Sequence, residues 1–384
     1  MCCDRSAERS ITGAAHEPPR STDRPCGCRI PRGLWHRAER AVRRTGRVNL
    51  IGEHTDYNDG LVLPCAIDRE TMIAIGPGER DRIDAVALDF GDARDGFALA
   101  EPITPTGPEW GRHLRGVAHF LQQSGCEVAP ARIAIAGDVP IGAGLSSSAS
   151  LGVVSGLGLA QLAGCSQAPE ALARIAQAAE NHFVGTQCGI MDQMASACAK
   201  AGHALLLDCR DLSYRHIALP QDLALMIIDS GVRHSLGDSP YNERRAQCEA
   251  AAAHYGKAGL RDVSPDQLEA ERAGLDDVAY RRARHVVTEI ARVSRFAAAM
   301  AAGNTSAISA LMAESFVSYR DDFEASVPKV DQLFAAVSAV LAARGGVRLT
   351  GGGFGGSLVA LAPRDSLEEI AAAADGLDIT IVRE

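Results

Sequence analysis

A mixed α/β (α+β) fold is predicted by three features of this 384-residue sequence. Short apolar runs bounded by turn residues crowd its first third. Near the middle, an apolar strand breaks into a glycine loop that opens a small-residue helix. A long helical block then leads to two closing strands around a second, denser glycine loop. At about 150 residues per domain, the length allows two to three domains with a substantial core.

Each element follows from local chemistry. Residues 1–30 hold Pro18, Pro19 and Pro25 among Ser, Arg and Asp, with too few apolar side chains to offset the entropy of ordering, so a disordered tail is expected. Cys2, Cys3, Cys26 and Cys28 lie in that tail without a C-x-x-C pair, which disfavours a metal site. A basic stretch at 37–47 precedes Val48-Asn49-Leu50-Ile51-Gly52, expected as a buried strand running into a turn. Residues 61–67 and 71–75, bounded by Asn58-Asp59-Gly60, Pro77 and Gly78, are expected as a hairpin-like pair.

Residues 132–136 read as a strand, 138–144 break it, and Ser146 opens a helix through Leu162. A second helix over 169–181 begins at Pro169, a residue suited to a first helical position. Residues 204–208 and 223–229 are strands, and helices dominate 242–344. The strands 347–350 and 358–361 flank residues 351–356, where five of six residues are glycine. No repeat with a period of 20 to 50 residues is present.

Composition excludes several partners. The formal net charge of −9 favours no polyanion, and an aromatic content of 4% argues against a base-stacking platform, so no nucleic acid is expected. The long uncharged stretch 139–169 is interrupted throughout by Gly and Ser, and Met-Cys-Cys-Asp-Arg does not begin a signal peptide. A cytoplasmic protein with no membrane contact is expected. The eleven cysteines are odd in number and scattered, which favours reduced structural thiols. Nothing in the sequence fixes an oligomeric state; a monomer is the expectation.

Four segments carry chemistry. In Gly142-Ala143-Gly144-Leu145-Ser146-Ser147-Ser148, glycines let a backbone approach a ligand, and the following helix start presents N–H donors to an anion. The loop is neither a Walker A motif nor a dinucleotide fingerprint. Its three consecutive hydroxyls suit Mg²⁺ and phosphate oxygens, while an ordinary Ser N-cap is the simpler alternative. Glu53, His54 and Asp56 cluster just after an apolar strand, as a sugar pocket requires; a metal site and a solvated turn are the competing readings.

Asp192 stands among apolar neighbours in Gly189-Ile190-Met191-Asp192-Gln193-Met194, and would either cap a helix or act as a positioned base held by a cation such as Arg47. The loop at 351–356 has more glycine than a single turn needs, which points to another backbone edge held close to a ligand.

Three of these segments, Gly46-Arg47-Val48-Asn49-Leu50-Ile51-Gly52-Glu53-His54-Thr55-Asp56-Tyr57, residues 140–150 and residues 349–356, resemble in order and spacing the three motifs of the GHMP small-molecule kinases. The first is similar to that of the galactokinase branch. Further support comes from Cys188-Gly189-Ile190-Met191-Asp192-Gln193, Leu207-Asp208-Cys209-Arg210, and Val232-Arg233-His234-Ser235-Leu236 followed by Tyr241. The resemblance spans roughly residues 40–365.

It implies an N-terminal ribosomal-S5-like domain over 31–210, a C-terminal ferredoxin-like domain over 211–384, and an active site between them. It also implies phosphorylation of the anomeric hydroxyl of α-D-galactose by MgATP, giving galactose 1-phosphate and ADP. Glu53, His54, Asp56 and Tyr241 would hold sugar hydroxyls, with Gly189 close by through its backbone. Asp192 would sit against the 1-hydroxyl, and Arg47 near both Asp192 and the γ-phosphate. Residues Gly142, Ala143, Gly144, Leu145, Ser146 and Ser147 would wrap the phosphates of ATP, and Ser148 and Glu180 would contact Mg²⁺.

The sequence departs from the family at Thr45, where the family usually has Pro, and at Trp110-Gly111-Arg112-His113, where galactokinases tend to show Trp-x-Asn-Tyr. Trp110 would lie towards the nucleotide base. A kinase of N-acetylgalactosamine or L-arabinose differs by few pocket contacts, and a non-catalytic galactose- and ATP-binding sensor would be free to lose Arg47, Asp192, Ser148 or Glu180.

Overall fold

The computed structural model describes residues 38–233 and 240–382. The expected tail with its four cysteines, and His234-Ser235-Leu236, lie outside the described residues.

The first strand, β1 (Arg40–Asn49), starts eight residues before the apolar run that signals it in the sequence. Its basic half is carried by antiparallel pairing to β3 (Pro64–Pro77), from Arg40 opposite Ile75 to Asn49 opposite Pro64. The hairpin expected between 61–67 and 71–75 does not form, because β3 runs unbroken through Asp68-Arg69-Glu70. That tripeptide contains no Gly, Pro or Asn to turn the chain, and its side chains simply reach the strand's accessible side. Only the short β2 (Leu61–Val62) precedes it.

A first sheet of eight strands is completed by β4 (Arg82–Ala87), β5 (Ala93–Ala98), β6 (Ala131–Gly137), β7 (His203–Asp208) and β8 (Tyr214–Ala218). Its main path is β2-β7-β3-β6-β4-β5, with β1 on β3 and β8 on β7. One face is covered by α1 (Glu109–Gln123), α2 (Ser147–Leu162), α3 (Pro169–Ala179) and α4 (Met191–Cys198). The helix expected to run to 181 changes pitch at Glu180, where a π-helical turn, Glu180–Val184, follows α3.

The second sheet has four strands: β9 (Leu223–Asp229), β10 (Gly346–Thr350), β11 (Ser357–Pro363) and β12 (Ile379–Ile381). Their spatial order, β10-β11-β9-β12, is all antiparallel and is the order of a ferredoxin-like sheet. Between β9 and β10 come α5 (Pro240–His254), α6 (Pro265–Ala270), α7 (Asp277–Ala301), α8 (Thr305–Asp321) and α9 (Pro328–Leu341); α10 (Leu367–Ala373) precedes β12. The boundary expected at 210–211 separates β7 from β8, which pair with each other, so the change of sheet lies between β8 and β9.

One apolar core joins the two sheets, with Val48, Leu50 and Ile51 packed with Val293, Phe296, Val359 and Leu361. Burying several such side chains at about 1.5–3 kcal/mol each fixes the sheets against one another and presents their loops to a common cleft. Among the described residues no helix is long and apolar enough to cross a membrane.

Candidate active site

The two glycine loops meet backbone to backbone. Gly144 has φ +76° and Gly351 φ +87°, and a Cβ on Gly351 would come 3.0 Å from the Gly144 carbonyl oxygen. Side chains at either position would be strained and would push the loops apart. What the glycine at 351 is close to in the structure is the backbone of the first loop. A cavity of about 720 Å³ opens beside the contact, lined by both loops, by Glu53, His54 and Asp56, and by Asp192 and Glu180. Its wall also includes the apolar side chains of Trp110, Ile135 and Leu151.

Arg47 reaches this cavity through an irregularity in β1. The register against β3 shifts between Thr45 and Arg47, and the Arg47 N–H donates instead to the Leu145 carbonyl of the glycine loop at 3.1 Å. Such a bulge re-aims a side chain. The guanidinium donates to Asp192 Oδ1 through Nε at 2.7 Å, to Asp192 Oδ2 through Nη2 at 2.6 Å, and to the Gly144 carbonyl through Nη1 at 2.5 Å. Planar, two-pronged pairing of this kind is the strong form of a charge-assisted hydrogen bond.

Asp192 lies in the first turn of α4, yet its carboxylate is occupied by Arg47 and by the Ser146 hydroxyl, which donates to Oδ2 at 2.5 Å. Ile190 is the N-cap residue, without a side-chain cap bond. Of the two readings left open for Asp192, the geometry is that of a carboxylate held by Arg47. Its side chain keeps 27% exposure while that of Arg47 keeps 5%.

The π-helical turn brings Glu180 to the same cavity, where Ser148 Oγ donates to its Oε1 at 2.9 Å and Gln193 Nε2 to its Oε2 at 2.9 Å. Burial, and after it the nearby charge of Asp192, push the Glu180 carboxyl up to about 7 in spite of the Ser148 bond. Its hydrogen-bond donors are both neutral, and the charge of Arg47 lowers it less than burial and Asp192 raise it. Ser148 Oγ and Glu180 therefore fit a hard divalent ion, which takes oxygen ligands. Ala143 turns away from the cavity, fully buried, with its carbonyl accepting from Ser357 Oγ at 2.9 Å.

Behind the turn at 53–56 lies a sealed ionic cluster. Glu53 Oε1 accepts from the Gly351 N–H at 2.7 Å and faces Arg348 Nη1 at 3.3 Å, and Oε2 accepts from Asn49 Nδ2. Arg348 also approaches Glu289 Oε1 at 4.0 Å, and Glu289 in turn accepts from the Gly52 N–H at 2.9 Å, from Ser315 Oγ at 2.6 Å and from Arg292. Burial pushes the Glu289 carboxyl up, but Arg292 and Arg348 outweigh it and hold it at about 2. At Glu53 burial wins over Arg348 and the carboxyl is raised.

His54 Nδ1 lies 2.8 Å from the Tyr57 hydroxyl, and Nε2 lies 3.0 Å from the Tyr319 hydroxyl and 3.3 Å from the Gly352 carbonyl. Burial lowers its imidazole to about 3, so it stays neutral. Tyr241 packs against it with ring centroids 5.1 Å apart. Asp56 is half-buried and pushed up to about 6 by burial and then by Asp192. Gly189 passes so close that a Cβ there would collide with the Asp56 carboxylate. Among the described residues no group of three or more His, Cys, Asp and Glu gathers as a metal site.

Sequence reasoning missed Gln193, Arg348, Glu289 and the buried His285, whose Nε2 lies 3.2 Å from the Glu53 carbonyl. A visible signal existed for Arg348, the only charge in the apolar run before the second glycine loop. His285, Glu289 and Arg292 likewise interrupt the apolar stripe of α7 at helical spacing.

Comparison with known proteins fits this geometry. Residues 36–77 match the galactokinase galactose-binding signature, residues 112–200 the GHMP kinases N terminal domain, and residues 296–376 the GHMP kinases C terminal. The crystal structure of Lactococcus lactis galactokinase complexed with galactose superposes with a TM-score of 0.85 at 28% identity, covering 91% of this chain and 95% of that one. Methanococcus jannaschii mevalonate kinase gives a TM-score of 0.63 at 18% identity over 89% of this chain and 97% of that one, a likeness of fold. Streptococcus pneumoniae phosphomevalonate kinase in complex with phosphomevalonate and AMPPNP shares the fold likewise, with a TM-score of 0.65 at 14% identity over 89% and 99%. The glycine loops, the cleft between the sheets and these matches together place the chain in the GHMP kinases, with the galactokinase galactose-binding signature at its N-terminal end.

Proposed function

We propose that the protein is a galactokinase, transferring the γ-phosphoryl group of MgATP to the anomeric hydroxyl of α-D-galactose to give galactose 1-phosphate and ADP. The observation that carries this reading is the place of Asp192, which shares one cavity with the phosphate-type loop at Ser146 and the polar turn at Asp56. The signature at 36–77 and the galactose-bound Lactococcus lactis relative supply the sugar. A cytoplasmic location, where ATP is abundant, fits this chemistry.

ATP phosphates would lie along Gly142, Gly144, Leu145, Ser146 and Ser147, whose backbone borders the cavity, with Ala143 contributing main chain alone. The base would lie against the apolar wall at Trp110. Ser148 and Glu180 would hold Mg²⁺, which when bound supplies charge neutralisation of phosphate oxygens. At the sugar end, Asp56 and Tyr241 would take hydroxyls, with Gly189 keeping Asp56 in place. Glu53 has three protein donors on a carboxylate that offers about four lone-pair sites, which leaves room for one sugar hydroxyl. His54 would wall the pocket with its neutral ring.

Phosphoryl transfer passes through a loose transition state in which alignment and charge neutralisation matter more than a strong base. The oxygen at C1 forms the new bond to γ-phosphorus while the bond from γ-phosphorus to the β-bridging oxygen breaks. Arg47 would steady both the developing charge and Asp192. Because Asp192 already accepts three hydrogen bonds, it would act first as an orienting anion and take the C1 hydroxyl proton late.

ADP release from MgATP, measured across galactose, N-acetylgalactosamine, L-arabinose, glucose, mevalonate and homoserine, tests the proposal. Turnover with the lowest KM on galactose is expected. Turnover on another sugar alone would overturn the pocket assignment, and galactose binding without turnover on any acceptor would favour a sensor.

A further inference from the structure

We infer that Ser146 is a positioning residue for Asp192, locking the nucleotide loop to the acceptor carboxylate, and that its hydroxyl, unlike its backbone, serves neither as a helix cap nor as a phosphate ligand. The inference rests on the kinase reading above and gives one of the three bonds to Asp192 a role of its own.

Three observations converge on it. Ser146 occupies the N-cap position of α2, where a Ser side chain ordinarily accepts from the first helical N–H groups, yet it makes no cap bond. Its backbone is left-handed, with φ +62° and ψ +47°, a conformation that only glycine adopts without strain. Gly142 and Gly144, four and two residues earlier, meet the same requirement with glycine, at φ +70° and +76°. A serine retained in such a place must return something that a glycine lacks, and strain of this kind collects at functional sites.

What it returns is the hydroxyl. In this left-handed conformation Ser146 Oγ donates to Asp192 Oδ2 at 2.5 Å, on the oxygen that also accepts from Arg47 Nη2 at 2.6 Å. The same short segment sends Ser148 Oγ to Glu180 Oε1 at 2.9 Å. Two hydroxyls two positions apart thus engage two different carboxylates, and a shift of the loop is felt directly by Asp192. Arg47 closes the circuit, since its Nη1 donates to the Gly144 carbonyl in the same loop. Loop and carboxylate move as one unit, so seating the phosphates sets the angle from which Asp192 meets the sugar hydroxyl.

Ser146→Gly tests this, because glycine suits the left-handed backbone while removing the hydroxyl. Loss of one hydrogen bond to a charged group predicts a fall in kcat of about 10- to 100-fold, with KM for ATP changed by less than about threefold. The thermal midpoint should stay within a few degrees of the unmodified protein. In an Asp192→Asn background the same substitution should change kcat by less than about threefold, since the two residues act as a pair. Ser146→Ala, which also lacks the hydroxyl, should lose a similar factor. Unchanged kcat in either single variant, or a rise in KM for ATP that persists in the Asp192→Asn background, would overturn the inference in favour of no role or of phosphate binding. Absence of turnover in the unmodified protein would instead overturn the kinase reading, and this inference with it.

Discussion

Two ionic clusters border the same cavity and are built from the same kinds of residue, but they differ in access to water. Behind the sugar turn, Glu53, Glu289 and Arg348 are wholly buried, and Arg348 ties the turn to the second sheet. In front of it, Arg47 meets Asp192 with 27% of the Asp192 side chain still accessible from the cavity. Sealed charges are costly to desolvate, so the rear cluster is chiefly a brace, with Glu53 its one member at the cavity wall. The front pair has kept an open side, and an open side is what a reacting group requires. The difference teaches that burial, more than charge, separates architecture from chemistry in this protein.

The sharpest way to break the contrast is Glu289→Ala. Removing it leaves Arg292 and Arg348 without their shared carboxylate and the Gly52 N–H without an acceptor, at an expected cost of about 3–5 kcal/mol in stability by denaturant unfolding. A loss under about 1 kcal/mol would mean that the rear cluster braces nothing. Asp192→Asn should do the reverse, lowering kcat by at least about 10²-fold while costing less stability than Glu289→Ala. Activity within a factor of a few of the unmodified protein would remove Asp192 from the chemistry.

Asp56 sharpens the comparison further, because it stands between the two clusters. With its carboxyl pushed up to about 6, first by burial and then by Asp192, it is ionised above that pH and protonated below it. A protonated Asp56 loses acceptor capacity for a sugar hydroxyl, so the KM for galactose should be flat from about pH 7 to 8 and rise roughly tenfold per unit below about pH 6. Asp56→Asn should abolish that rise. A KM that does not respond to pH in the unmodified protein would place the sugar's contacts elsewhere.

Much of the fold was legible where local rules dominate. The glycine loop opening α2, the proline starting α3 and the apolar runs of β6, β7 and β9 all announce themselves in the sequence. Illegible features depended on distant partners. β1 is extended because β3 is there to pair with it, and the polar centre of β3 stays in the strand because β1 pairs on both sides of it. The site shows the same division. Its loops could be read from spacing, but Arg47 and Asp192 are 145 residues apart, and before the structure their pairing was one of two open readings of Asp192 that the family resemblance then favoured. Ser146 was legible as a hydroxyl at a helix start, while its left-handed backbone, which changes its meaning, was not.

The most direct measurement is product identity: phosphorus NMR of the mixture after incubating the protein with MgATP and galactose, alongside the Asp192→Asn variant. The account predicts galactose phosphorylated at C1, with ADP in equal amount, and little product from the variant. Phosphate on another sugar oxygen, or equal product from the variant, would contradict it.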